Sequence, residues 1–339
     1  MNAEVFAKWM RLQGFKVVHT KSSYWYDTGY RVFQAFPYHW VINPSEDEIR
    51  RLLVDNNAIA LRFSAPLNSG KGKVSYHVVC DDPDYDIKML PRQARQNVKR
   101  GSKNVRVEQI PISRLVDEGW RLRKETLERQ GREGAETRRW WVKLCRTADK
   151  LPGFEAWGAM CENRLVASFL GFRCDKCYIL PYEQSETALI KRRVNNAIFY
   201  HVTQAALKRG DVASVFYGLE SLDAPASVDQ FKFRMGYMAM AIRQRVVFHP
   251  LLVRFANGLS HKLIARIVQR YPGNYFLTKA EGMLRFHLQG KMPIWDQHLP
   301  DVLEKLITCP EKTKSFPAML KGHAKLVSRL CQTGSGQVT

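Results

Sequence analysis

The chain has 339 residues, 45% of them hydrophobic and 25% charged, with 53 Lys+Arg against 32 Asp+Glu and a formal net charge of +21. That apolar content excludes a disordered basic tail or a low-complexity binder, and the length gives room for two domains that each bury a core. Arg, Lys or His interrupts every apolar run before the ~20 residues a membrane span needs, and the start, MNAEVFAKWMRLQGF, has no apolar h-region or cleavage site, so the expectation is a soluble, cytoplasmic protein.

In chain order, the first hundred residues mix helix and strand. A short helix over 4–13 is followed by an aromatic-rich hairpin, 24–30 and 32–42, turned at Asp27-Thr28-Gly29. Ser45-Glu46-Asp47-Glu48 reads as a capping box opening a helix over 46–54. The β-branched and apolar runs 58–63 and 74–80 are strands. Pro91 opens a basic helix, LPRQARQNVKRGSKN, expected to stop at Gly101, and 105–110 is a further strand. The spacing then predicts helices over 112–130 and 136–148, and three strands, 154–161, 165–172 and 177–182, joined by tight turns as an antiparallel meander. A loop, SETALIKRRVNN, leads to a helix over 196–209, a short strand 215–218, a short helix 228–235 and a last strand 238–248. After His249-Pro250 the apolar residues recur at helical spacing with Arg254, Lys262, Arg266 and Arg270 between them. This stretch, 251–270, is a basic amphipathic helix that either caps the domain or lies on an anionic membrane.

The seven cysteines form no framework. Cys174-Asp175-Lys176-Cys177 lacks a second ligand pair, so it reads as a hairpin tip and no metal is expected. His77 and Asp82 share the His-x4-Asp spacing of glycerolipid acyltransferases, but without the flanking blocks His77 reads as a core or edge histidine. Walker A, GxGxxG, GxSxG and HExxH patterns are all missing, which removes the usual entry points to nucleotide hydrolases, dinucleotide enzymes, serine hydrolases and zincins.

The charge is concentrated. Residues 87–107, 187–210 and 230–280 contain no acid but carry runs of Lys and Arg. Three such windows point to faces that meet something anionic: phosphates, RNA or a membrane surface.

The informative segment is 180–237. A meander strand, a basic loop, a helix and a strand ending in Gly218-Leu219-Glu220-Ser221 precede Gln230-Phe231-Lys232-Phe233-Arg234-Met235-Gly236-Tyr237. A strand ending near glycine, a polar spacer and a Phe-Lys-x-x-x-Gly element resemble the GNAT-like acyltransferases of the FemAB type, which include polysaccharide-pathway acetyltransferase-like proteins. The order of elements extends the resemblance over about residues 20–248. It implies an α/β fold with mixed sheets, built as two tandem GNAT-like subdomains: 1–110, and an acyltransferase subdomain at 111–248. A helical basic extension, 249–330, and a flexible tail, 331–339, follow.

The resemblance also places the site. The loop before the central helix faces a donor pyrophosphate, which assigns Lys191, Arg192, Arg193, Asn195 and Asn196 to the donor. This loop lacks the usual glycines, which leaves room for a donor other than acyl-CoA. Lys232 is a fixed cation for the developing oxyanion, and Glu220 is the base that deprotonates the acceptor. Phe231, Tyr217, Arg92 and Arg95 are assigned to substrate contact. The implied reaction moves an acyl group from acyl-CoA to an amine or hydroxyl of a sugar, lipid precursor or amino compound, by direct attack in a ternary complex. Two alternatives stay open: aminoacyl-tRNA as donor, or a non-catalytic RNA- or membrane-binding protein on the same scaffold.

Overall fold

A computed structural model describes residues 2–222, 226–271 and 273–308 of the chain. The N-terminal half begins with α1 (Ala3–Gln13), capped by Asn2, whose side chain accepts from Val5 N–H, and closed by Gly14 at φ 99°. The strands β1 (Val17–His19), β2 (Tyr24–Asp27) and β3 (Val32–Phe36) form an antiparallel ribbon. Asp27 fixes its turn by accepting from Gly29 N–H at 2.8 Å. Half of the expected capping box is present: Ser45 Oγ accepts from Glu48 N–H at 3.1 Å and opens α2 (Glu46–Asp55), but the Glu48 carboxylate turns away to accept from Ser22 N–H and Oγ. Then come β4 (Ala60–Ala65), parallel to β3, and β5 (Lys73–Cys80).

Two helix expectations are corrected here. Gly101 does not end the basic helix but lies inside α3 (Arg92–Ser102). A Cβ at Gly101 would stand 2.3 Å from Arg193 O and 3.0 Å from Ala197 Cβ, so the glycine is there to let another helix approach. After β6 (Arg106–Ile110), the single helix expected over 112–130 is two, α4 (Ile112–Asp117) and α5 (Gly119–Arg129). They break at Glu118-Gly119, where the backbone passes within 3.2 Å (from a Cβ position) of Trp141 in α6 (Arg138–Asp149). Periodicity continues across such a break and hides it.

The meander is as expected: β7 (Phe154–Cys161), β8 (Arg164–Cys174) and β9 (Cys177–Ser185) pair antiparallel, with Cys174 opposite Cys177 at a hairpin tip and both thiols free. A 3-10 turn, Thr187–Arg192, leads to α7 (Val194–Leu207), then β10 (Ser214–Leu219), α8 (Ala226–Arg234) and β11 (Met238–Phe248). Each half thus holds a β-α-β unit with parallel strands, β3-α2-β4 and β9-α7-β10.

The two halves share one sheet in the order β1-β2-β3-β4-β11-β5-β10-β9-β8-β7-β6. The strand that follows each β-α-β unit crosses to the other half: β5 pairs with β10, and β11 pairs with β4. The exchanged strands also pair with each other along their length, from Met238 opposite Val79 to Gln244 opposite Lys73. Neither half therefore has a free sheet edge at the junction, and the fold is a tandem GNAT-like α/β architecture welded at its centre, with β1 and β6 as the outer edges. The boundary at 110/111 lies within this continuous sheet, with β6 on β7.

The C-terminal extension is helical from Gly258, not from 251: residues 250–257 are turns, and α9 (Gly258–Arg270) and α10 (Tyr275–Gln289) follow. Phe286 and Met283 of α10 pack with Val246, Ala60 and Leu222. His287 Nδ1 lies 2.9 Å from Val246 O, and Gln297 Nε2 and Oε1 bond Gly72 O and Val74 N–H. The last helix among the described residues, α11 (Asp301–Thr308), buries Leu303 in the main core. The end of the expected extension, 309–330, and the expected tail, 331–339, lie outside the described residues.

Candidate active site

The parallel strands β9 and β10 stay together for three residue pairs, Cys177–Ser214, Tyr178–Val215 and Ile179–Phe216, and then part. Sequence causes the parting. Against β8, Ile179 faces Phe172 while Tyr182 faces Leu170, so Leu180 and Pro181 bulge opposite one residue. Pro181 brings no N–H to continue a ladder. β10 also slips register against β5 between Phe216 and Gly218. The strands diverge into a cavity of about 1100 Å³, lined from β9, β10, α5, α8, α10 and the start of α7.

Glu183 comes from β9 just past the bulge and lines this cavity. Tyr217 of β10 donates its hydroxyl proton to Glu183 Oε2 across the gap. Burial pushes the Glu183 carboxyl up to about 7, against the pull of Lys232 and Arg129. A carboxyl poised there exchanges a proton readily at neutral pH.

Lys232 of α8 stands beside this pair. Its ammonium bonds Asp229 Oδ1 at 2.7 Å, lies 4.4 Å from the centre of the Tyr217 ring, and leaves the residue 8% exposed. Asp229 in turn accepts from Tyr76 OH at 2.7 Å, which anchors α8 to the exchanged strand β5. Such a buried lysine, held by one carboxylate, is a fixed positive pole on the cavity wall. Arg129 of α5 completes the rim, donating to Thr187 Oγ1 at 2.9 Å, and burial lowers its pKa. Among the described residues no group of three or more His, Cys, Asp and Glu is placed to hold a metal.

The sequence-assigned residues divide by position. Lys232, Tyr217, Phe231 and Asn195 line the cavity together. Phe231 also packs edge-on against Phe199, 5.3 Å between centroids. Asn196 is turned inward, with Nδ2 against Met235 Sδ at 3.4 Å. Arg193 sits at φ 66° as the N-cap of α7, and Lys191 and Arg192 are exposed on the 3-10 turn, outside the cavity lining. The loop expected to face the donor pyrophosphate is thus largely wound into helix. Arg92 and Arg95 lie at the start of α3, also outside the lining. Glu220 leaves the cavity altogether: its carboxylate lies 3.7 Å from the buried Lys73 ammonium, and its carbonyl accepts from Arg62 and Gln244. His77 is fully buried, shares a 2.8 Å hydrogen bond with Ser64 and lines neither cavity, as a core histidine does.

Sequence reasoning missed Glu183, Arg129 and Asp229. The signal for Glu183 was Pro181 inside a strand-like run, which marks a bulge and hence a re-aimed side chain two residues later.

Residues 88–223 match the family model of the acetyltransferase (GNAT) domain. No curated protein matches the chain. Among solved structures, it is similar to a conserved protein of unknown function from Bacteroides thetaiotaomicron (TM-score 0.50, 9% identity, 72% of this chain and 88% of that one). It is also similar to FemX (0.49, 10%, 73% and 92%) and to L-PGS from Bacillus licheniformis (0.47, 12%, 72% and 87%). The likeness to the Bacteroides protein is one of fold. Glu183 and Tyr217 fall within the matched stretch and Lys232 beyond it; over residues 88–223 the chain is similar to the GNAT acetyltransferase domain.

Proposed function

We propose that the protein transfers an acyl group to a nucleophilic amine or hydroxyl, with Glu183 as general base. The observation that carries this reading is the carboxyl of Glu183, raised to about 7, set across the β9–β10 gap from Tyr217 with Lys232 beside them. The donor carbonyl sits between the parted strands. The acceptor X–H attacks its carbon, the new X–C bond forms, and the proton passes to Glu183. Lys232 stabilises the negative charge gathering on the carbonyl oxygen. The tetrahedral species collapses with cleavage of the C–S bond of an acyl-CoA donor, and the thiolate leaves and takes up a proton. Attack is direct, in a ternary complex: Ser185 lines the cavity, but its hydroxyl is buried and accepts from Arg129 at 3.2 Å, which makes it part of the wall and not a nucleophile. Asn195 at the start of α7 contacts the donor, and Phe231 the acyl group or the acceptor. Glu220 has no part in the chemistry.

A second reading keeps this chemistry and replaces the donor by aminoacyl-tRNA, the bond broken being the ester C–O. It is favoured by the meeting of two basic windows. Gly101 of α3 abuts Arg193, and Asn104 Nδ2 donates to Arg192 O at 3.3 Å. This brings exposed Lys99, Arg100 and Lys103 next to exposed Lys191 and Arg192 at the entrance to α7.

The test is thermal stabilisation by coenzyme A, acyl-CoAs and tRNA at matched ionic strength, followed by product formation with whichever donor binds. Coenzyme A release abolished by Glu183→Gln supports the first donor, and ribonuclease-sensitive aminoacyl transfer supports the second. Stabilisation by none of them, or full turnover by Glu183→Gln, overturns the reading.

A further inference from the structure

A second cavity of about 690 Å³ adjoins the first. The two share a wall made by Tyr26, Thr28, Tyr38, Leu219, Tyr275 and Lys279. The second chamber differs in chemistry: Ile59, Phe248, Leu252, Phe255, Ile264 and Met283 are among the side chains that face it. Its volume is that of a pocket for a ligand, not of a packing defect. Its roof is the C-terminal extension, α9 and α10 with the turns before them.

The shared wall carries cations. Lys279 lines both cavities, its ammonium 4.3 Å from the Tyr275 ring centre. Arg132 lines the first, its guanidinium 4.9 Å from the same ring, and its buried Nε has no hydrogen-bond partner. An anion at this junction would find two cations and an unmatched donor.

The outside of the roof continues the pattern. No residue of α9 is buried. Leu251, Phe255, Leu259 and Leu263 are 69%, 57%, 79% and 60% exposed. Leu259 and Leu263 share one helix face with Arg266 and Arg270, and Lys262 borders it. Scattered exposed leucines need no explanation, but a strip of them framed by cations does. Phe255 reaches both the strip and the chamber beneath it.

We propose that the acceptor is an anionic lipid taken from a bilayer: its alkyl chain fills the second chamber, its charged group sits at Lys279 and Arg132, and its nucleophile points to Glu183. The helix α9 lies on the anionic bilayer surface, leucines inward and Arg266, Arg270 and Lys262 among the headgroups. This rests on the transferase reading for the word acceptor, yet its test reads binding and not turnover. Loss of the base assignment would leave the binding result standing, and the reverse.

The probes are octyl, decyl and dodecyl phosphate, titrated against the full chain below their micellar concentrations by calorimetry. A chain that enters the chamber gains about fourfold in affinity for each added methylene. Ala280→Trp, which fills the chamber from α10, flattens that series, and Lys279→Gln weakens all members alike. Affinity independent of chain length in the wild-type protein overturns the proposal, whether or not the tryptophan variant folds. Competition by palmitoyl-CoA but not acetyl-CoA would place the donor's chain there and overturns the acceptor assignment. In a second arm, the chain co-sediments with phosphatidylcholine vesicles containing phosphatidylserine, and Leu259→Glu with Leu263→Glu abolishes this. No sedimentation, or equal sedimentation with phosphatidylcholine alone, overturns the bilayer as source.

Discussion

Glu183→Gln separates catalysis from stability in opposite directions. The carboxyl is raised from its ordinary 4.5 to about 7 because the fold removes water from it. The unfolded chain therefore releases this proton at lower pH than the native protein does. Between those two values the native state binds more protons, so stability falls as pH rises, and above about 7 the full penalty is in place. At 1.36 kcal/mol per unit the gap is about 3 kcal/mol, and solvent reaching a half-buried residue reduces it to roughly 2–3 kcal/mol. Glutamine has the same shape and no charge. The variant should match the wild type near pH 4 and exceed it at pH 8. With an unfolding entropy near 2.1 cal/mol/K per residue over ~300 residues, the excess is roughly 3–5 °C in Tm. Meanwhile, turnover should fall by about 10²–10⁴, the usual contribution of a general base, and the wild-type kcat/KM should climb through pH about 7 as the base ionises. Calorimetric scans at both pH values, paired with initial rates, make the check. A Tm difference that does not change with pH, or a variant less stable at pH 8, would refute the argument.

Other substitutions test neighbouring claims. Lys232→Ala should lower turnover by about 10²–10³ with little change in donor affinity, since the charge acts on the transition state; a loss confined to KM would place Lys232 in binding instead. Glu220→Ala should remove about 3 kcal/mol of stability by stranding the Lys73 ammonium, which is 4% exposed, while activity per folded molecule persists; urea titration and active-site-normalised rates decide. Gly101→Ala should displace the entrance to α7 through the 2.3 Å clash with Arg193 O, lowering both stability and donor affinity; an unchanged Tm would contradict the close approach. His77 has its pKa pushed down to about 3 by burial, so the native state resists a proton that the unfolded chain accepts below 6.5, and stability is lost as pH falls through that window. His77→Gln should flatten this acid limb of the stability profile, measured by Tm against pH.

What the sequence disclosed follows from what is local. The strand 238–248 was legible to the residue, because apolar alternation and flanking glycine and proline are short-range signals. The N-cap at Ser45 and the hairpin tip at Cys174 were legible for the same reason. The exchange of β5 and β11 was not, since pairing between Tyr76 and Ala241 leaves no trace in either strand's own pattern. Gly101 was misread because a glycine that ends a helix and one that admits a neighbour look alike without the neighbour. Of the site, Lys232 came from its motif, whereas Glu220 drew the base assignment because it follows a strand, and Glu183 was passed over because the strand seemed complete at Tyr182. A bulge shifts which residue faces the gap, and the choice between two glutamates turned on it.

The large positive charge is divided by its neighbours more than by its amount. Part of it is paired within the fold: Arg209 on Glu155, Arg123 on Glu136 and Lys73 on Glu220 are ion pairs that position strands and helices. Of what faces outward, the cluster of Lys99, Arg100, Lys103, Lys191 and Arg192 has no large exposed hydrophobic among it. A surface of that kind attracts a phosphate chain through counterion release and weakens steeply with salt. On α9 the cations alternate with leucines that are exposed far beyond what a core helix shows. There, apolar burial adds to electrostatic attraction and survives salt that removes the latter. Salt titration therefore tells the two faces apart within one protein, and a phosphate-bearing donor and a lipid acceptor would each find the surface whose side chains match them.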